Sequence, residues 1–164
     1  MNDIGGRTHF GAAPDPHGRK WSISVGKFEA HGGFKRDFDV RVGVSKGVWD
    51  CRQFGDRLWA DVAQILETSF DGSRIESDSS GGHTYWFEND DLSVSLYVDD
   101  GEPGWPLELV PAMLNARSRS ESVETWQLAE KLYDSLAAPG TYLVAVFAED
   151  GMPIDANFDI GDDW

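Results

Sequence analysis

The chain reads as an α+β domain, a mainly antiparallel sheet of five to six strands with two main helices packed on one face. Three observations predict this. Short segments alternate apolar and polar residues, the pattern of half-buried strands. Two longer segments repeat apolar residues every three or four positions, as amphipathic helices do. Each such helix has one face to bury, and a sheet covered on one side is the economical way to bury two of them. The 164 residues suit one domain with its own core. A 40% hydrophobic content with seven Trp and nine Phe is too apolar for a disordered chain.

Taken in order, residues 1–20 mix Gly, Pro, His and Asp without apolar periodicity and read as a flexible leader ahead of a single domain over 21–160. "WSISVGKF" alternates Trp21, Ile23 and Val25 with Ser22, Ser24 and Gly26, and "FDVRVGVS" alternates Phe38, Val40, Val42 and Val44 with Asp39, Arg41 and Gly43. Gly32 and Gly33 between them permit a turn, which predicts an antiparallel hairpin. From Asp56 to Phe70, Leu58, Trp59, Val62, Ile65, Leu66 and Phe70 form one apolar stripe, which predicts the first helix. "DGSRIESDSSGG" reads as a polar loop with room for a short strand at Arg74–Ser77. "HTYWFEN" and "LSVSLYVDD" predict a second hairpin around Asp90 and Asp91. Three prolines break "GEPGWPLELVP", so 101–120 reads as irregular, with a helical turn or two at "AMLNARS". Ser122 is placed to cap a second helix whose stripe is Val123, Trp126, Ala129, Leu132, Tyr133 and Leu136, ended by Pro139-Gly140. "TYLVAVFA" is apolar on both faces and predicts an inner strand. Glu149-Asp150-Gly151 then turns into a short strand near Ile154–Phe158, and 161–164 form an acidic tail.

The formal net charge is -15, beyond the magnitude of about 2 to 8 that solubility asks of a small domain. Residues 1–82 carry 11 Lys and Arg against 12 Asp and Glu, whereas residues 83–164 carry 3 against 17. Phosphate binding needs clustered Lys and Arg, so the second half repels nucleic acid and anionic membranes and attracts a basic protein. The single cysteine, Cys51, excludes an intrachain disulfide and any multi-cysteine metal site. No stretch approaches a membrane span, and a cytoplasmic location is expected.

Several motifs compete for a chemical reading. Gly43-Val44-Ser45-Lys46-Gly47 matches the G-x-S-x-G pattern, but the helix that must follow a nucleophile elbow at once is late, so Ser45 reads as a turn residue. His9, His17, His31 and His83 lack the spacing of a metal site. Asp99-Asp100-Gly101-Glu102 lacks the alternating ligands of a calcium loop, and Asp and Gly in "NDD", "DDG" and "EDG" are turn chemistry. Turn chemistry sets where these residues stand without explaining why they are acidic, since Asn or Ser would serve as well. Asp90, Asp91, Asp99, Asp100, Glu102, Trp105, Glu149 and Asp150 are therefore the candidate partner-binding residues, because aromatic anchors ringed by charge are what interfaces use. No catalytic residue, metal or cofactor is assigned.

The segment "TWQLAEKLYDSLAAPGTYLVAVFAEDGMPIDANF", with the small size, acidity and lone cysteine, resembles the small α+β immunity proteins of bacterial polymorphic-toxin systems. That resemblance implies a cytosolic, non-catalytic inhibitor that occludes the active site of a cognate toxin. Two other readings stand beside it. One is a small enzyme or ligand-binding domain with a pocket near Ser45 and His83, and the other is a nucleic-acid mimic presenting its acidic half to a DNA-binding protein.

Overall fold

The computed structural model describes residues 26–32 and 37–162; the expected leader, residues 21–25 and the last two residues of the tail lie outside them. Among the described residues, helix α1 (Lys27–Ala30) is followed by β1 (Phe38–Val44), α2 (Cys51–Ile65), β2 (Arg74–Ser77), β3 (His83–Glu88) and β4 (Leu92–Val98). A 3-10 turn at Leu107–Leu109, then β5 (Ala112–Ser118), α3 (Thr125–Ala137), β6 (Tyr142–Ala148) and β7 (Pro153–Ala156) complete the order. The strands form one antiparallel sheet in the order β2-β3-β4-β5-β1-β6-β7. The fold is α+β as expected, with seven strands rather than five or six.

Alternation decides which face each side chain takes. Val40 lies opposite Leu114 and Val146, and Val42 opposite Ala112 and Val144. These residues join Val94, Leu96 and Tyr85 in the core, against Leu58, Val62, Leu132 and Leu136 of the two long helices. Both helices thus cover the same face. Arg41, Met113, Ser95, Trp86 and Phe147 have the opposite parity and stand on the helix-free face.

Four expectations are corrected. The expected first hairpin does not form around β1, because both of its edges are taken by β5 and β6, and Lys27–Ala30, the end of its expected first strand and the turn after it, is helical. The first helix begins at Cys51 rather than Asp56, since Asp50 caps it by accepting from Gln53 N–H at 2.8 Å. It ends at Ile65, where Glu67 takes a φ of 53°, and Leu66 and Phe70 enter the core from beyond it. "AMLNARS" is an inner strand, β5, whose buried Ala112, Leu114 and Ala116 alternate with Met113, Asn115 and Arg117; two alanines make the apolar half of that alternation faint in the sequence. The second helix is capped by Glu124 in a capping box with Gln127, not by Ser122, and Val123 is exposed.

Candidate functional site

The helix-free face is built around Arg41. Strand alternation turns this arginine away from the core, yet it is only 9% exposed, because the chain between β4 and β5 lies across it. Arg41 Nε donates to Asp39 Oδ2 at 2.8 Å, and its terminal nitrogen stands 3.7 Å from Glu102 Oε1. Gly43 explains how the crossing chain lies so close. A Cβ there would stand 1.8 Å from the Leu109 carbonyl oxygen, so only glycine permits the approach. Beside the crossing, a cavity of about 420 Å³ is lined by Asp37, Asp39, Arg41, Leu107, Met113 and Phe147, with Glu149 at its margin. Arg117 closes on Asp37 through a bidentate ion pair. Asp39 Oδ1 is buried without a hydrogen-bond partner.

Trp105 stands on the crossing segment, 57% exposed, and is held edge-on by Phe158 at 6.5 Å between ring centroids. Carboxylates lie near it along the chain: Glu102 and Glu108 on its own segment, Asp159 within the Phe158–Gly161 stretch that touches it and Asp162 just after that stretch. An exposed indole fixed by a second ring carries little rotational freedom to lose on binding.

The structure sorts the remaining candidates. Glu102, Trp105 and Glu149 share the helix-free face. Asp99 accepts from Gly101 N–H at 2.7 Å and borders that face through Tyr97, whose phenol is pushed up first by burial and then by Asp99 and by Asp78, to which it donates at 3.2 Å. Asp100 turns to the helix side and accepts from the Cys51 thiol at 3.6 Å. Asp91 lines a groove beside α3 with Leu66, Leu92 and Lys131. Asp90 is exposed in the β3–β4 turn, and Asp150 accepts from Met152 N–H at 3.1 Å. In the ladder, Asp90, Asp91, Glu149 and Asp150 lie at one end of the sheet and Asp99, Asp100 and Glu102 at the other, a strand length of about 20 Å apart. The acidic turns are therefore two groups, one at each end of the sheet, with Glu102 of one and Glu149 of the other on the helix-free face.

Ser45 and His83 do not meet. Ser45 Oγ donates to the Gly140 and Thr141 carbonyls at 2.8 and 2.9 Å, so its hydroxyl fixes a turn. His83 Nδ1 bonds Ser77 Oγ at 2.8 Å, on the far side of β4 and β5 from Ser45. Burial raises the Cys51 thiol pKa, Asp100 and Asp99 raise it further, and the Trp49 indole opposes them. Among the described residues no group of three or more His, Cys, Asp or Glu is arranged to hold a metal ion, and no helix is long and apolar enough to cross a membrane.

Sequence reasoning missed Asp37, Asp39, Arg41 and Arg117. Their signal was present as charges at alternate positions of two apolar strands, but it becomes a site only when β1 and β5 are known to be neighbours. Comparison with protein-family models, curated proteins and solved structures finds no match to this chain.

Proposed function

We propose that the protein is a non-catalytic acidic binding protein that docks its helix-free face onto a basic protein, with Trp105 as the anchor, Glu102 and Glu108 as charged neighbours on its own segment and Glu149 at the far end of the same face. The observation that carries this is the exposed Trp105, braced by Phe158, on a segment that also carries Glu102 and Glu108. The described residues contain nine Lys and Arg against 26 Asp and Glu. Ion pairs among them take up seven of those carboxylates, which leaves nineteen without a cationic partner among the described residues. A partner rich in Lys and Arg supplies that charge and gains a fast, salt-sensitive encounter. The resemblance to immunity proteins gives the reading its biological form, a cytoplasmic inhibitor that covers the active site of a bacterial toxin.

The test is capture of partners from lysate and secreted effectors of the source cell on the immobilised protein, at low and at physiological salt. One basic protein is expected, released by Trp105→Ala and by reversing Glu102 and Glu149 to Lys. Capture indifferent to all three changes would discard this face. Equal loss of binding when DNA competes would move the reading to a nucleic-acid mimic.

A further inference from the structure

The two edges of the sheet are treated differently. Strand β7 begins at Pro153, its pairing with β6 shifts register at Val146/Phe147, and Lys27 of α1 reaches over to Asp155 at 3.0 Å. Prolines, bulges and covering helices are the usual means of blocking an edge. Among the described residues strand β2 has none of these; it is guarded by its shortness and by the charges of Arg74 and Glu76, and all four of its residues are exposed.

The hairpin turn fixes which backbone groups that edge presents. Asp78 N–H donates to Gly82 O and Gly81 N–H to Asp78 O, with Gly81 at a φ of 92°, so Asp78 turns both backbone groups toward β3. Hydrogen bonding alternates along an antiparallel ladder. With Glu76 opposite Thr84 and Arg74 opposite Trp86, Glu76 and Arg74 bond inward to β3, whereas Ile75 and Ser77 present their N–H and C=O outward.

The side chains of the same edge are self-complementary. Arg74 and Glu76 share the helix-free face, where the Arg74 guanidinium lies over Trp86 at 5.2 Å. Ile75, 41% exposed, points to the other face. A two-fold axis through Ile75, normal to the sheet, pairs Ile75 with its own copy and sets Arg74 of each chain opposite Glu76 of the other. The outward groups of the two Ile75 residues then exchange both hydrogen bonds, and two opposite charges meet on each side of the axis.

We infer that β2 is a homodimerisation edge, through which two copies join antiparallel into one continuous sheet with all helices on the same side. The occupant is a second copy of this chain because the charges match under two-fold symmetry and in no other register that keeps them opposed. A four-residue strand buries far less than the roughly 1,200 to 2,000 Å² of a stable interface. The dimer is therefore concentration-dependent rather than obligate.

Sedimentation velocity over a concentration series tests this. The wild-type chain is expected to pass reversibly from monomer to dimer. Arg74→Glu places like charges across the axis twice and is expected to weaken the dimer by about tenfold or more. The double variant Arg74→Glu/Glu76→Arg restores opposed charges and is expected to recover it. Because these side chains are exposed, circular dichroism should show the fold unchanged in both. A wild-type chain that stays monomeric at every concentration would overturn the inference, as would a dimer indifferent to Arg74→Glu or a double variant as weak as the single one.

Discussion

Gly55 stands on the buried face of α2, where a Cβ would lie 2.5 Å from the Tyr85 hydroxyl oxygen and 2.9 Å from two ring carbons. Tyr85 is fully buried and donates to Asp56 Oδ1 at 2.8 Å, so its ring has nowhere to go. Gly55→Ala ordinarily gains about 0.5 to 1 kcal/mol in a helix. Here overpacking of about 1 to 3 kcal/mol outweighs the gain, and a lowered urea midpoint is the expected outcome. Tyr142 titrates in a way that stability can report. Burial, and then the Asp61 carboxylate its hydroxyl bonds to, push its pKa up to about 12. A phenol that holds its proton more tightly when folded contributes fully below its unfolded pKa of about 10. That contribution is lost as pH rises through about 12. Urea midpoints between about pH 9 and about pH 11.5 should fall for the wild-type chain and fall less steeply for Tyr142→Phe; parallel slopes would contradict the assignment. Cys51 gives a third readout, since burial and Asp100 disfavour its thiolate. Its alkylation at mildly alkaline pH is expected to be slower than that of an unfolded cysteine, and faster in Asp100→Asn.

Asp50 shows how much one capping side chain decides at the scale of an element. Its bond to Gln53 N–H starts α2 five residues before the apolar stripe becomes regular. Asp50→Ala should cost about 1 kcal/mol, readable as a shift in the chemical denaturation midpoint with an unchanged slope. The elements that alternation or helical period marks strongly, such as Leu92–Val98 and Thr125–Ala137, are legible without coordinates. Two kinds of information are not. Cap choice depends on which side chain reaches an N–H, and Glu124 takes α3 from Ser122 because Gln127 completes the reciprocal pair. Strand identity in "AMLNARS" depends on neighbours, since Ala112 and Ala116 become core residues only once β1 and β4 flank them.

For the molecule as a whole, electrostatics outweighs any single contact. Four of the ion pairs among the described residues are exposed at both partners, and each such pair is worth less than about 1 kcal/mol, whereas nineteen carboxylates without a cationic partner among the described residues repel one another. Added NaCl should therefore raise the thermal midpoint between about 20 mM and about 500 mM by screening that repulsion. A falling midpoint would mean the pairs dominate. The acidic bias was legible in the sequence, because composition and turn chemistry are local. The division of the acidic turns between two ends of the sheet was not, because it follows from strand order. That order also bears on how the chain is made. Both neighbours of β1 lie far downstream, beginning at Ala112 and Tyr142. At a synthesis rate of about 5 to 20 residues per second, the strand waits roughly 5 to 20 s on the ribosome before its last partner is complete. Until β5 and then β6 are made, Phe38, Val40, Val42 and Val44 form an incompletely mated sticky ribbon, so the yield of soluble protein should depend on co-translational chaperones.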